Sequence, residues 1–288
     1  MLPISRILFP VDFSERCVDI IPYVKVIASK YGSEITLLHV VNPVMAVPGT
    51  GVTLPWFVPE PAWRISQAAD WLDSFGKDEL NGLPVRRLAY EGEPEAQIVA
   101  TAEAEKSQLL IIPTHGYGKV RRFLIGSTTA KVLHDTSCPV LTGAHFRTSS
   151  TKPKIEHIVC AIDLGPTTCD ILTWTARLAH DFDARLSIVH VIPRLAPSLQ
   201  VVFSSDVKSE MEASIRAEIE KIQAATGLEK VTVCIEEGDV ARSICSYATS
   251  VAADLLVIGR GDKTSRLERL RANAYAVIRE SNCPVLSV

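Results

Sequence analysis

The sequence predicts two tandem doubly wound α/β domains, each with a five-stranded parallel sheet and helices on both faces. Three observations point there. The 288 residues amount to about two domains of ordinary size. The second half repeats the first. Within each half, short β-branched runs alternate with longer segments of helical spacing.

The repeat appears when Ile7-Leu8-Phe9-Pro10-Val11-Asp12 is laid on Ile158-Val159-Cys160-Ala161-Ile162-Asp163. At the same spacing Ile35-Thr36-Leu37-Leu38-His39-Val40-Val41 falls on Leu186-Ser187-Ile188-Val189-His190-Val191-Ile192, so aspartate meets aspartate and histidine meets histidine. Glu91-Gly92 matches Glu237-Gly238, Leu109-Leu110-Ile111-Ile112 matches Leu255-Leu256-Val257-Ile258, and Cys138-Pro139-Val140-Leu141 matches Cys283-Pro284-Val285-Leu286. The order is the same in both halves. It assigns 1–143 to a first domain, 155–288 to a second, and the polar, Ser- and Thr-rich 144–154 to a linker.

In the first half the strands are expected at 6–11, 34–41, 85–90, 109–112 and 139–142. Continuous apolar runs such as Leu109–Ile112 suggest a parallel sheet covered on both faces. Ser14 is placed to cap a helix whose apolar positions Cys17, Ile20, Ile21, Val24, Ile27 and Ala28 share one face. Pro22 is expected to kink or shorten it. Pro94 fits the first turn of a later helix, and 207–225 reads as a charged amphipathic helix. The segment from Met45 to Trp71, which concentrates Trp56, Phe57, Trp63 and Trp71 among prolines, is read as an apolar loop. It is expected to cover the cleft, to pack on the partner domain, or to form an interface with another chain.

Composition excludes several classes. Lys plus Arg is 30 and Asp plus Glu 33, a net charge of −3, which argues against a broad nucleic-acid surface but leaves a local anion site open. The uncharged run from 35 to 59 is broken by four prolines and two glycines, so it reads as strand and loop and not as a membrane span. The start shows no signal-peptide pattern. Seven cysteines, an odd number without a C-x-x-C pair, read as reduced core thiols of a cytoplasmic protein.

Ligands of open parallel sheets bind outside the C-terminal strand ends, near the reversal of strand order. That rule selects Pro10-Val11-Asp12, the Val40 region, and the loop from Pro113 to Ser127. Gly116 and Gly118 let backbone amides approach an anion, and Gly126-Ser127-Thr128 opens a helix whose first N–H groups carry partial positive charge. The same residues also fit a tight turn with a capping serine. His115 fits either a ligand contact or a solvated loop position, and His39 and His190, inside apolar strands, read as hydrogen-bonded structural residues. No Ser/His/Asp order, paired carboxylates or metal cluster defines a hydrolase, and the loop lacks the Gly-Lys-Ser/Thr ending of a phosphate-binding P-loop.

Taken together, Ile-Leu-x-Pro-Val-Asp-x-Ser, Leu-Leu-His-Val, Thr-His-Gly followed at a distance by Gly-Ser, and the closing Cys-Pro-Val-Leu resemble the universal stress protein family in its tandem form. The resemblance implies pairing of domains as in a dimer and, in many members, ATP or another adenine nucleotide in the cleft. Mg2+ is expected with the triphosphate. The family pattern Gly-x2-Gly-x9-Gly-[Ser/Thr] falls on Pro113, Gly116 and Gly126-Ser127, with proline in place of the first glycine. Pro113 lacks a backbone donor but keeps a carbonyl acceptor. By the same resemblance Asp12 faces the adenine and Val40 lines its pocket.

The second half keeps Asp163, Val191 and Gly259, with Gly261 near the second glycine. Counting back from Cys-Pro puts Arg271-Ala272 in place of Gly126-Ser127; counting forward from Gly259 puts Ala272-Asn273 there. Either way the Gly-Ser pair is absent. That half is read as a degenerate domain kept for packing or as a site for a smaller or different anion. The leading expectation is a stress-response protein that binds ATP in its first domain with little or no turnover. The alternatives are a nucleotide-free dimeric scaffold and a slow ATP hydrolase. The closing strands are expected to meet as an intrachain pseudo-dimer, with a homodimer beyond it.

Overall fold

The computed structural model describes residues 2, 4–43, 60–114, 125–143, 153–193, 205–260 and 272–288. They form two compact units, one chiefly of residues 3–142 and the other chiefly of residues 154–288.

The first unit runs β1 (Arg6–Pro10), α1 (Glu15–Tyr31), β2 (Glu34–Val41), α2 (Pro61–Ser74), β3 (Val85–Glu91), α3 (Pro94–Ala104), β4 (Leu109–Ile111), α4 (Ser127–Asp135) and β5 (Val140–Thr142). Its strands lie in the order β3-β2-β1-β4-β5, and every pairing is parallel. Ile7, Leu8 and Phe9 of β1 are almost wholly buried, as a strand covered on both faces must be. The chain leaves β1 toward β2 on one side and returns as β4 on the other. The strand order therefore reverses between β1 and β4, and a crevice opens beyond their C-terminal ends.

The second unit repeats this with β6 (His157–Ile162), α5 (Thr168–Phe182), β7 (Arg185–Pro193), α6 (Ser205–Thr226), β8 (Thr232–Gly238), α7 (Val240–Ser250), β9 (Leu255–Ile258), α8 (Ala272–Glu280) and β10 (Val285–Ser287). Its order is β8-β7-β6-β9-β10, again parallel throughout. All six residues of β6 are buried.

The local reasons follow from the residues. Ser14 accepts a hydrogen bond from the Cys17 amide and starts α1. Gly32, at φ 65°, ends α1 in the left-handed conformation, and Asp183, at φ 53°, does the same for α5. Pro94 takes the first turn of α3. Two expectations need correction. Pro22 neither ends nor shortens α1, which is continuous over 17 residues. Pro22 is exposed, so the carbonyl its missing N–H leaves unpaired lies on the solvent side. Residues 61–71, expected as loop, belong to α2, with Pro61 at its first turn. Trp63 and Trp71 sit on this helix and are each 53% exposed. Trp56 and Phe57 lie outside the described residues.

Candidate functional site

The crevice of the first unit is a cleft of about 550 Å³. Pro10, Val11, Asp12, His39, Val40, Val41 and Asn42 line one end, from the loops after β1 and β2. Pro94 and Ile98 of α3 form a wall. Ile112, Pro113, Gly126, Ser127, Thr128 and Thr129 close the other end, between β4 and α4. Eight of the residues expected from sequence, Pro10, Val11, Asp12, Val40, Pro113, Gly126, Ser127 and Thr128, are thus brought to one cavity. His115 and Gly116 lie outside the described residues.

Asp12 is held by its own loop. Its Oδ1 accepts from the Ser14 amide at 3.0 Å and from the Cys17 thiol at 3.1 Å. Oδ2 has no partner among the described residues. Between Asp12 and Ser14 the chain passes through Phe13 at φ 63°, a conformation that bulky residues rarely adopt. Phe13 is fixed there by rings on three sides. Its ring centroid lies 4.5 Å from His39, 5.8 Å from Trp71 and 5.7 Å from Phe75. Burial, with Asp12 beside it, pushes the Cys17 thiol well above its ordinary pKa, so it stays a neutral thiol.

His39 meets the carbonyl oxygen of Val11 through Nδ1 at 2.7 Å. A carbonyl only accepts, so Nδ1 carries the hydrogen. The structural reading of this residue holds, and it also reaches the cleft, which sequence spacing did not signal.

The opposite end is built on backbone. The Gly126 amide donates to the Thr114 carbonyl at 2.7 Å, and Gly126 is the N-cap of α4 without any side-chain cap. The first amides of α4 therefore open at the cleft with the helix's positive end. The Pro113 carbonyl is already engaged, since the Thr129 hydroxyl donates to it at 2.9 Å. Thr129, missed from the sequence, ties the end of β4 to α4. An anion at the α4 end and a donor-bearing ring at the Asp12 end both suit this arrangement.

The second unit repeats the plan in a cleft of about 270 Å³. Asp163, Val191 and Gly259 line it; Gly261 lies outside the described residues. Asp163 Oδ1 accepts from the Gly165 amide at 2.9 Å, Leu164 has φ 58°, and His190 Nδ1 donates to the Ile162 carbonyl at 2.9 Å. α8 begins at Ala272 where α4 begins at Ser127, and each helix has nine residues. Among the described residues no group of three or more His, Cys, Asp or Glu side chains is placed to hold a metal, and no helix is long and apolar enough to cross a membrane.

The profile of the universal stress protein family matches residues 3–142 and again 154–288. Universal stress protein MJ0577 of Methanocaldococcus jannaschii is 28% identical over 150 residues, which is 48% of this chain and 93% of that protein. Universal stress protein A homolog 1 of Coxiella burnetii is 30% identical over 139 residues, 46% of this chain and 95% of its own. The crystal structure of a universal stress protein from Archaeoglobus fulgidus, 22% identical, shares the fold with a TM-score of 0.68 and covers 98% of this chain and 95% of its own. Two matches that together span almost all of the sequence leave one conclusion: the chain belongs to the universal stress protein family and carries its domain twice.

Proposed function

We propose that this protein binds an adenine nucleotide, ATP, in the cleft of the first unit and acts in a stress response through that binding, with little or no turnover. One observation carries the reading. A single 550 Å³ cleft, inside the usual range of about 300–1,000 Å³ for small-molecule sites, places a carboxylate and apolar walls at one end and an uncapped helix start at the other. Asp12 Oδ2 suits the exocyclic amine of adenine, and Val11, Val40 and Ile98 suit its faces. The amides of α4 and the hydroxyls of Ser127 and Thr128 suit phosphate oxygens. A magnesium ion bound with the nucleotide would lean on phosphate and water more than on protein carboxylates.

Little turnover is expected because the sequence lacks both the Gly-Lys-Ser/Thr ending of a P-loop and a Ser/His/Asp order. The apolar face of α2, with Trp63 and Trp71 half exposed, supports assembly into a homodimer, which sedimentation of the Trp63→Glu protein checks. Purified protein, denatured and cleared, should release adenine nucleotide into the supernatant, and calorimetry should count one ATP per chain. A preparation that releases none and gives no heat with ATP favours the scaffold reading; steady phosphate release with a normal turnover favours the hydrolase.

A further inference from the structure

We propose that the first unit carries a second binding site, on the α2 side of the Asp12–Phe13 turn, for a methylated organic ammonium ion. The inference goes beyond the nucleotide reading and does not rest on it.

A cavity of about 600 Å³ lies there, lined by Asp12, Phe13, His39, Trp71, Ser74 and Phe75. It shares only Asp12 and His39 with the nucleotide cleft, whose far walls are α3 and α4. The chain moves outward from β2 to β3 and then back across to β4. Right-handed crossovers therefore put α2 on one face of the sheet and α3 on the other, and the two cavities lie on opposite sides of the turn.

The rings around this cavity are not needed for the fold. The second unit builds the same turn with Leu164 at φ 58°, and α6, the counterpart of α2, has no aromatic residue. In the first unit the Phe13 ring stands at 82° to Trp71 and at 72° to Phe75. Trp71 and Phe75 are one helical turn apart, so they share a side of the helix end. Trp71 is half exposed and keeps ring area for a ligand.

Charge selects that ligand. The face of an aromatic ring attracts a cation, most strongly one that gives up its water readily. Among the described lining residues Asp12 supplies a carboxylate, and none is lysine or arginine. Residues 44–59, which lead from β2 toward α2, contain no charged residue, so nothing in that stretch offsets Asp12. The last turn of α2 holds no basic residue either. Arg87 donates to the Leu72 carbonyl at 2.7 Å and is not among the lining residues. Acceptors are few. The Ser74 hydroxyl donates to the Trp71 carbonyl at 2.9 Å, and Asp12 Oδ1 holds the Ser14 amide and the Cys17 thiol. A primary ammonium needs three acceptors to replace its water, whereas a methylated one needs ring faces and a counter-charge.

The test is calorimetric titration of choline into the full chain without nucleotide, beside its uncharged isostere with carbon in place of nitrogen. Choline should bind once per chain, and the isostere more weakly by roughly tenfold or more. Trp71→Ala should weaken choline by roughly tenfold, and Trp71→Phe should keep most of the affinity. Ser74→Lys brings a cation to the cavity and should abolish choline binding; a lysine suits the last turn of a helix, so this variant keeps its fold. ATP binding and sedimentation of the Trp71→Ala protein should match the parent, which separates loss of this site from damage to the nucleotide cleft or to assembly. No choline binding, equal binding of the isostere, or choline binding unchanged in the Trp71→Ala and Ser74→Lys proteins overturns the assignment. Failure of ATP to bind would sink the nucleotide reading alone, because choline binding is measured in its absence.

Discussion

His39 donates its Nδ1 hydrogen to the carbonyl oxygen of Val11 at 2.7 Å, and the pair recurs as His190 and Ile162 at 2.9 Å. In each unit the accepting residue immediately precedes the cleft aspartate. The histidine on the strand next to the central one, β2 or β7, therefore pins the loop that presents Asp12 or Asp163. That loop needs pinning, since Phe13 and Leu164 follow the aspartates at φ 63° and 58°, a conformation that costs an ordinary residue about 1–2 kcal/mol.

Replacing His39 by leucine should leave the buried Val11 carbonyl unpaired and lower stability by about 1–3 kcal/mol. Urea denaturation checks it through the midpoint at constant slope. His190→Leu should act alike on the Ile162 carbonyl. Nucleotide affinity should fall in the His39 protein and not in the His190 protein, because only the first loop presents Asp12 to the nucleotide. An unchanged midpoint in both would mean that the loops hold themselves.

Much of this was legible beforehand because a repeat reports burial twice. An aspartate and a histidine kept at the same places in two diverged halves marked both the strand ends and the structural histidines. Three features were not legible. Phe13 and Leu164 in the left-handed region run against the preference of bulky residues, and only the tertiary packing of Phe13 on His39, Trp71 and Phe75 accounts for the first. Helix α2 follows a run of prolines and tryptophans whose local pattern reads as loop, and its buried positions are few, Ala68 and Leu72. Thr129 donates across sixteen residues of chain to Pro113, a partnership set by how α4 returns to the sheet and not by any local motif.

Acid should weaken the second unit through His157. The ring is buried, with Nε2 at 2.7 Å from the Ser187 hydroxyl and Nδ1 at 3.0 Å from the Val251 carbonyl. Burial holds its pKa below the ordinary histidine value; the Val251 carbonyl opposes this, and the Arg185 guanidinium, 2.8 Å from Nδ1, adds to it. The unfolded chain thus binds a proton at a pH where the folded chain does not. Below the ordinary value of about 6.5, and down to the depressed folded value, stability should fall as pH falls. Denaturation midpoints at about pH 7.5 and 5.5 measure it, and His157→Gln should remove part of the difference. An identical drop in that variant would assign the acid sensitivity to other groups.

Thiol labelling should sort the cysteines by burial. Cys169 is exposed, whereas Cys17, Cys160 and Cys245 are buried. Burial pushes Cys160 and Cys245 up to about 12 and raises Cys17 as well, so their thiolate fraction near neutrality is negligible. Native protein treated with iodoacetamide and digested should carry the label at Cys169 and leave the three buried thiols unmodified until denaturant is added. Rapid native labelling of Cys160 would mean that β6 opens far more often than a buried central strand should.

Gly126→Arg should abolish ATP binding while leaving the first unit folded. Gly126 has φ −59° and ψ 146°, a conformation open to any residue, so no backbone strain follows from the change. Its amide bond to the Thr114 carbonyl, 2.7 Å, and its carbonyl bond from Ala130 involve only backbone and survive. What changes is the space in front of the α4 amides. Glycine lets a phosphate oxygen reach the backbone; a long side chain at the N-cap fills that approach. Removing one or two charge-assisted hydrogen bonds should cost several kcal/mol, on the order of a hundredfold or more in affinity, despite the added positive charge. Calorimetry with ATP, alongside a thermal melt that should match the parent protein, is the measurement. A folded Gly126→Arg protein that binds ATP as tightly as the parent would place the phosphates away from the start of α4, and with them the proposed orientation of the nucleotide in the cleft.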